Sequence, residues 1–391
     1  MPATLLCQEP CTLENIPDIE DVQVYRSILK AMGVPISHTS EGRYTIDGGA
    51  YVPDGPPPHD LVKKMRASYY LLGALLGRYG RAEVALPGGC DIGQRPIDQH
   101  LKGFRALGAE CEVEGGTVRA LAPSGLRGAN IYLDVVSVGA TINIMLAAAL
   151  AQGTTVIENA AKEPHIVDLA NFINAAGGRV TGAGTDVIRV VGAEALYGCN
   201  HAIIFDEIQA ATYMIAAVAT RGDVVVENVI PKHLDPISAK LQETGAQVLE
   251  NGDSIRVIMD GRAKAANIKT LPYPGFPTDA QQPMSALLSV AEGTSYVSET
   301  IWEGRFKHFE ELRRMGTDVR IEGRTAIIEG VEELTGASVR ATDLRAGAAL
   351  IVAGLLAHGD TEITGIEHID RGYEHTTENL QALGAQLRRV E

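Results

Sequence analysis

The chain has 391 residues, which is longer than one hydrophobic core usually supports, so two domains are expected. Apolar residues make up 45% and charged residues 21% of the chain, a composition typical of a globular protein. The net charge of −15 argues against nucleic acid or an anionic membrane as a partner. Because no apolar run reaches the roughly 18 residues of a membrane-spanning helix and no signal peptide is recognisable, we expect a cytoplasmic protein.

A repeated pattern runs through the whole chain, in which an amphipathic helix ends at a glycine and a short strand follows. The six terminal glycines are 68 to 75 residues apart: Gly33, Gly108, Gly177, Gly245, Gly316 and Gly384. A glycine at this place is typical of the left-handed position that ends a helix. Upstream of each copy lies an alanine-rich helix followed by a β-branched strand, for example ATINIMLAAALAQG-TTVIENA.

The repeat predicts an α/β fold with three units in each domain. The sequence between the third and fourth copies contains glycines and an asparagine near 191–205, so we expect domains at 1–204 and 205–391. The first copy is short, because its alanine-rich helix is reduced to Pro2-Ala3-Thr4-Leu5-Leu6. Two interpretations stay open at this stage: a misplaced start of the chain, or a truncated first unit.

A cysteine lies between glycines in the segment Leu86-Pro87-Gly88-Gly89-Cys90-Asp91-Ile92-Gly93-Gln94-Arg95-Pro96. The segment joins a predicted strand to a predicted helix, within an expected loop at about 84–99. Arg95 and the helix N-terminus would favour the thiolate form of Cys90, which is the reactive form. The alternative is a small buried cysteine without chemistry, which is the commoner environment of a free thiol.

Five arginines stand at or near the start of predicted helices: Arg66, Arg95, Arg305, Arg345 and Arg371. A helix N-terminus carries partial positive charge, and the arginine fork matches phosphate and carboxylate, so this pattern favours an anion site. The alternative is that single arginines pair with surface acids.

Two acidic residues are further candidates, each with a structural alternative. Asp279 lies where a helix is predicted to begin and could be its N-cap, whereas Asp370 could form an ion pair with Arg371. The ten histidines show no metal-ligand spacing, and the five cysteines are odd in number without a CxxC pair. We therefore expect no metal and no cofactor.

Seven motifs carry a resemblance to a known family: LPGGCDIGQRPID, SVGATINIM, ENAAKEPHIVDLANF, PGFPTDAQQPM, ETIWEGRF, DLRAGAAL and HIDRGYE. They resemble the enolpyruvyl transferases of bacterial cell-wall synthesis, from about Leu5 to the C-terminus. The resemblance implies two inside-out α/β barrel domains of three units each, here with a truncated first unit. It also implies a monomer that transfers the enolpyruvyl group of phosphoenolpyruvate to the 3′-hydroxyl of UDP-N-acetylglucosamine and releases phosphate.

The resemblance further assigns roles to the candidates. Cys90 would protonate or capture phosphoenolpyruvate and would be alkylated by fosfomycin, and Asp279 would accept the proton of the sugar hydroxyl. The phosphate and carboxylate of phosphoenolpyruvate would be held by Arg95, Arg345 and Arg371. The other substrate-binding residues would be Arg66, Arg95, Pro96, Ile97, Asp98, Gln99, Ser137, Val138, Gly139, Ile301 and Arg305.

Three departures from the family pattern keep alternatives open. A lysine-asparagine pair that contacts phosphoenolpyruvate in the family belongs to a segment that this sequence lacks. Asp206-Glu207-Ile208-Gln209 stands where Asp-Arg-Ile-Glu is usual, and Val135 replaces a lysine found in part of the family. The alternatives are a paralogue that uses another nucleotide acceptor and a non-catalytic relative that binds nucleotide sugars.

Overall fold

The computed structural model of the protein describes residues 1–86 and 96–390. These residues form two compact units, the first containing 1–86 and 96–204 and the second containing 205–390. Cys90 and Arg95 lie outside the described residues, as does most of the expected loop at about 84–99.

The first unit repeats the order helix, strand, helix, strand, strand. Its first copy contains a 3-10 helix at Pro2–Leu6, β1 (Cys11–Glu14), α1 (Glu20–Ala31), β2 (Ile36–Ser40), β3 (Arg43–Ile46) and α2 (His59–Val62). The second contains a 3-10 helix at Arg66–Tyr69, α3 (Tyr70–Tyr79), β4 (Arg81–Ala85), α4 (Asp98–Ala106), β5 (Glu110–Glu114), β6 (Thr117–Leu121) and β7 (Asn130–Tyr132). The third contains α5 (Val138–Ala148), β8 (Thr154–Glu158), α6 (Pro164–Ala175), β9 (Arg179–Thr181), β10 (Val187–Val191) and β11 (Asn200–Ala202).

Parallel pairing links the three copies of the first unit. The sheets have the orders β11-β1-β3-β2, β4-β6-β5 and β7-β8-β10-β9. The last strand β11 pairs in parallel with β1, with Thr12 opposite Asn200, so the third copy joins the first. Helices α3 and α5 pack against each other inside the sheets, and α5 is buried from Gly139 to Ala148.

The first two copies of the second unit repeat the same order of elements, and the third shares only its opening helix and strand. Its first copy contains α7 (Glu207–Ala219), β12 (Asp223–Val226), a 3-10 helix at Pro231–Leu234, α8 (Asp235–Glu243), β13 (Gln247–Asn251), β14 (Ser254–Ile258) and β15 (Ile268–Lys269). The second contains α9 (Thr278–Leu288), β16 (Thr294–Ser298), α10 (His308–Arg314), β17 (Asp318–Glu322), β18 (Thr325–Glu329), β19 (Leu334–Thr335) and β20 (Ser338–Arg340). The third contains α11 (Leu344–Leu356), β21 (Ala357–His358), β22 (Glu362–Thr364), α12 (Glu367–Asp370) and α13 (Thr376–Ala382).

Three buried helices form the centre of the second unit. Helices α7, α9 and α11 pack against one another, and the sheets β12-β14-β13, β15-β16-β18-β17, β19-β21 and β20-β22 surround them. Their alanines allow the close approach, because small side chains let helix backbones pack tightly. Each unit is therefore an inside-out α/β barrel, and the predicted fold class is confirmed. Within the described residues, no helix has the length and apolar character needed to cross a bilayer.

The six repeat glycines take the backbone conformation that the sequence predicted. Their φ angles lie between 87° and 100°, a left-handed region that glycine adopts without steric cost. Helix α7 shows the contrast, because the non-glycine Arg221 takes the left-handed conformation there with φ 54°. The glycine ends of the amphipathic helices are thus set by local backbone chemistry.

Gly316→Ala is expected to lower the free energy of unfolding by about 1 kcal/mol. The cost is conformational, because φ is 99° and no heavy atom lies within 4 Å of a Cβ built at this position. Gly222→Ala is the matched control: its φ is outside the left-handed region, and a Cβ would meet the Ala217 carbonyl oxygen at an ordinary 3.4 Å. Urea unfolding measures both variants, and equal stabilities would contradict this account.

A second prediction concerns His308, which is fully buried at the start of α10. Burial lowers its pKa to about 3, against the opposing effect of Asp343, so the folded protein holds this imidazole neutral. An unfolded histidine has a pKa of about 6.5 and binds a proton that the folded state does not. The free energy of unfolding therefore falls as the pH drops from about 6.5 toward 3, by about 1.4 kcal/mol per pH unit for one proton.

His308→Asn is expected to reduce the slope of the free energy of unfolding against pH, by up to the contribution of one proton. Urea unfolding at several pH values between 6.5 and 4.5 measures the slope, with His358→Asn at an exposed position as the control. The same slope for wild type and His308→Asn would contradict the prediction.

Candidate functional site

In the first unit, the predicted residues Arg66, Ser137 and Gly139 lie at the N-terminal ends of the inner helices. Arg66 begins the 3-10 helix that leads into α3, and Ser137 caps α5 by accepting a hydrogen bond from the Ala140 amide at 3.3 Å. The Arg66 guanidinium lies 5.2 Å from the ring centroid of Tyr69. Gly139 lets that ring approach, because a Cβ at this position would lie 2.2 Å from the Tyr69 hydroxyl oxygen.

A buried histidine that the sequence did not single out supports this cluster. The His100 ring stands edge-on to Tyr69 with centroids 4.9 Å apart, and its Nδ1 lies 3.0 Å from the Asn143 side-chain nitrogen. The Asn143 oxygen accepts a hydrogen bond from the Gly73 amide at 2.8 Å, so its NH₂ group donates to His100. Burial, reinforced by the Arg66 charge, lowers the pKa of His100 to about 4, and the ring stays neutral.

Gln99 is committed to internal hydrogen bonds. Its side-chain oxygen accepts from the Asp134 amide at 2.9 Å, and its nitrogen donates to carboxylate oxygens of Asp98 and Asp134. Lys102 and Gln99 lower the pKa of the Asp134 carboxyl, and the Lys102 nitrogen lies 2.7 Å from it. These bonds fix the segment before Ser137 to α4, and the ligand contact of Gln99 stays a prediction.

The remaining predicted residues of this unit differ in exposure. Pro96 and Asp98 are exposed, whereas Ile97 and Val138 are partly buried. Nothing in the described residues tests the roles of Cys90 and Arg95, so these stay predictions.

In the second unit, Asp279 is clamped between two arginines. It is the second residue of α9, whose N-cap is Pro277, so the alternative of an N-cap aspartate is wrong. One carboxylate oxygen lies 2.5 Å from a terminal nitrogen of Arg305, and the other lies 3.1 Å from Nε of Arg345. Arg305 is 4% exposed, whereas the Asp279 side chain keeps 39% exposure. The carboxylate thus presents one face to solvent while buried cations hold the other.

Arg345 is held at the N-terminus of α11 from several sides. Asp343 caps this helix by accepting the amides of Arg345 and Ala346 at 3.0 Å. The guanidinium lies 5.4 Å from the Tyr373 ring centroid, and the Tyr373 hydroxyl lies 2.9 Å from that of Thr212 in α7.

The charge of Arg345 is well stabilised. Burial opposes the charge, but Tyr373, Asp279 and Asp206 outweigh it and raise the pKa of the guanidinium. Asp206 is itself the N-cap of α7. Asp206 at the start of α7 and Asp279 at the start of α9 therefore both act on the cation at the start of α11.

The buried arginines keep donors for a ligand. Among the described residues, Nε of Arg305 and Nη1 of Arg345 are buried without a hydrogen-bond partner. The backbone of Arg305 is fixed, because its carbonyl oxygen accepts from Gln282 and from Nδ1 of His308, each at 3.2 Å. Buried guanidinium N–H groups without an acceptor are typical of a site that binds an anion.

Three further candidates belong to this unit, and the local structure around the first of them differs from the prediction. Arg371 is the C-cap of α12 and not the start of a helix, because the chain makes a short turn there and α13 begins only at Thr376. Asp370 forms an ion pair with Arg389. Ile301 follows β16, and its amide donates to the carboxylate of Glu299 at 2.8 Å.

The chain is similar to known proteins over its whole length. A family model described as EPSP synthase (3-phosphoshikimate 1-carboxyvinyltransferase) matches residues 1–380. A UDP-N-acetylglucosamine 1-carboxyvinyltransferase of Clostridium botulinum (strain ATCC 19397 / Type A) is 58% identical over 391 residues, which is 100% of this chain and 93% of that protein. A UDP-N-acetylglucosamine 1-carboxyvinyltransferase 3 of Symbiobacterium thermophilum is 57% identical, over 98% of this chain and 91% of that protein.

Solved structures agree with this assignment. The enolpyruvyl transferase NikO from Streptomyces tendae matches with a TM-score of 0.88 and 26% identity, covering 99% of this chain and 92% of that one. EPSP synthase from Acinetobacter baumannii matches with a TM-score of 0.73 at 21% identity, over 99% of this chain and 93% of that one, which shows the shared fold alone. The family match and the full-length relatives together show that the chain belongs to the EPSP synthase family of carboxyvinyltransferases.

Proposed function

We propose that this protein transfers the enolpyruvyl group of phosphoenolpyruvate to the 3′-hydroxyl of UDP-N-acetylglucosamine and releases phosphate. The observation that carries the proposal is the Asp279 carboxylate held between the buried Arg305 and the partly buried Arg345, each with a guanidinium nitrogen that has no hydrogen-bond partner among the described residues. The acceptor follows from the relatives, since those at 54 to 58% identity carry the name of this activity. The reaction is the first committed step in making the precursor of peptidoglycan.

Phosphoenolpyruvate binding is assigned to the cationic groups of the second unit, together with Arg95. Arg345 and Arg371 hold the phosphate and carboxylate of this substrate. Arg305 pairs with Asp279, which in turn pairs with Arg345. Because the pKa of Arg345 is raised, this group stays cationic around neutral pH and keeps its charge in the anion site. A fixed guanidinium stabilises negative charge as it moves onto the departing phosphate.

The chemistry balances in two steps. A proton added to C3 of phosphoenolpyruvate makes C2 electrophilic, and the 3′-oxygen attacks C2 as its own proton leaves. The tetrahedral ketal then expels phosphate and loses a proton from C3, which gives the enolpyruvyl ether. In this scheme Cys90 either delivers the proton to C3, or binds C2 through its sulfur after C3 is protonated and leaves again when the 3′-oxygen attacks C2. Asp279 accepts the hydroxyl proton.

Asp279 suits the role of base because its carboxylate is held in place and partly accessible. Two guanidinium groups hold it in the first turn of α9. The oxygen of a base must lie within about 3 Å of the hydroxyl oxygen whose proton it accepts, and the 39% exposure of this side chain leaves room for that approach.

The nucleotide sugar is assigned to the helix N-termini of the first unit. Arg66, Ser137 and Gly139 offer a cation and free helix amides, a combination that binds phosphate groups. Pro96, Ile97, Asp98 and Gln99 complete this group, with Val138 beside Ser137. Ile301 keeps its predicted role as a further contact of the nucleotide sugar. We further propose that the two compact units act as the two domains of a monomeric, cytoplasmic enzyme.

Incubation of the protein with phosphoenolpyruvate and UDP-N-acetylglucosamine is expected to release one phosphate per product formed, and phosphoenolpyruvate alone should release none. Asp279→Asn should lower kcat at least about a hundredfold, because the amide cannot accept the proton. Asp223→Asn is the matched control, since Asp223 also pairs with an arginine in the same unit, Arg256, but at the surface.

Three results would contradict parts of the proposal. Phosphate release with another nucleotide acceptor but not with UDP-N-acetylglucosamine would favour a paralogue that uses that acceptor. Binding of UDP-N-acetylglucosamine without any release would favour a non-catalytic relative. A wild-type rate for Asp279→Asn would remove Asp279 as the base.

Fosfomycin is expected to form one covalent adduct with the protein, on Cys90, because a reactive thiolate opens the epoxide. Intact-protein mass spectrometry should show this adduct in wild type and in Cys111→Ala, and should show none in Cys90→Ala. An adduct that persists in Cys90→Ala would contradict the assignment of this thiol.

A further inference from the structure

A buried carboxylate with four hydrogen-bond donors lies beside the proposed base. Glu299 follows β16 directly and is 1% exposed. Its Oε1 accepts the amides of Ile301 at 2.8 Å and Trp302 at 3.0 Å. Oε1 also accepts the Thr270 hydroxyl at 2.9 Å, and Oε2 accepts the Thr278 hydroxyl at 2.9 Å.

The four donors come from three different segments of the second unit. Thr270 follows β15, and the parallel pairing of β15 with β16 brings it beside Glu299. Thr278 is the first residue of α9, directly before Asp279. Ile301 and Trp302 begin the segment that leads to Arg305. One carboxylate therefore joins the end of a sheet, the start of a helix and a loop.

Burying a carboxylate is expensive unless donors surround it. A neutral acceptor would satisfy fewer of these donors, because an ionised carboxylate offers about four lone-pair sites. Hydrogen bonds to an ionised acceptor are also roughly twice as strong as neutral ones. A carboxylate at position 299 thus holds the three segments in fixed relative positions more strongly than a neutral side chain does.

The position of this clamp connects it to the chemistry. Thr278 sets where α9 begins, and the next residue carries the carboxylate that Arg305 and Arg345 hold. Ile301 is the residue of this unit that we assign to the nucleotide sugar. A displacement of about 1 Å at a reacting group is enough to slow a reaction about a hundredfold.

We propose that Glu299 is a positioning residue, which fixes the main chain before Asp279 and the main chain at Ile301 in one geometry. Glu299 itself touches neither substrate. The proposal rests on the proposed function, because it takes Asp279 as the base and Ile301 as a contact of the nucleotide sugar.

Two variants separate this role from general stability. Thr278→Val keeps the shape of the side chain and removes only the donor to Oε2, so kcat should fall about tenfold while the KM for UDP-N-acetylglucosamine stays within about twofold. Glu299→Gln keeps the size but loses the charge on both oxygens. It should lower kcat about tenfold and raise the dissociation constant of UDP-N-acetylglucosamine about threefold, because the bonds at Ile301 weaken as well.

Thr294→Val is the matched control. It breaks a hydroxyl–carboxylate bond of the same kind, to Glu329 at 2.8 Å, at the opposite end of β16. Its kcat and its affinity for the nucleotide sugar should equal those of wild type, whatever the change in melting temperature.

A kcat of Thr278→Val within twofold of wild type would overturn the proposal, as would a Glu299→Gln protein that differs from wild type only in melting temperature. A different result tests the proposed function: it is contradicted if wild type releases no phosphate from the two substrates. In that case calorimetry measures the dissociation constant of UDP-N-acetylglucosamine alone and tests the role of Glu299. A raised dissociation constant in Glu299→Gln and not in Thr294→Val supports the clamp, and equal constants reject it.

Discussion

The second unit is arranged around buried positive charge. Arg305 and Arg345 share one carboxylate, that of Asp279, although the chain as a whole carries a net charge of −15. A buried cation costs several kcal/mol unless opposite charge and hydrogen bonds surround it. Asp279 offsets part of this cost, and Tyr373 with the cap of α7 offsets more around Arg345. Because Asp206 and Asp279 both act on Arg345, the two cations are balanced by two carboxylates, and, in the described part of the chain, what Arg305 and Arg345 keep for a ligand is one unpaired guanidinium nitrogen each.

The repeat explains how residues so distant in sequence act on one point. Asp206, Asp279 and Arg345 each lie at the start of an inner helix, one from each copy. Because each of the three copies opens with an inner helix followed by a strand, their helix N-termini come to equivalent places. In each copy a glycine ends the amphipathic helix, so few fixed residues are needed to maintain the repeat. The residue types at the N-termini of the inner helices can therefore differ between copies.

The local features of the fold could be predicted from the sequence, and the partnerships between copies could not. Gly316 follows from helix-terminating chemistry within a few residues, so its left-handed φ was predictable. Arg345 and Asp279 were predicted separately, but their ion pair spans 66 positions and has no local signal. The prediction that Arg371 stands at or near the start of a helix was wrong, because the four-residue helix α12 ends directly before it. Glu299 was missed because its donors come from three segments.

Ion pairing and catalysis place opposite demands on Asp279. A carboxylate that two guanidinium groups hold is a weak base, since proton transfer to it disrupts both pairs. In the proposed reaction, the substrate phosphate competes for Arg345 and so draws one cation away from Asp279. The carboxylate then loses part of its electrostatic support while the chemistry proceeds. What keeps it in place at that moment is the main chain of α9, and the Glu299–Thr278 hydrogen bond fixes that main chain without using either arginine.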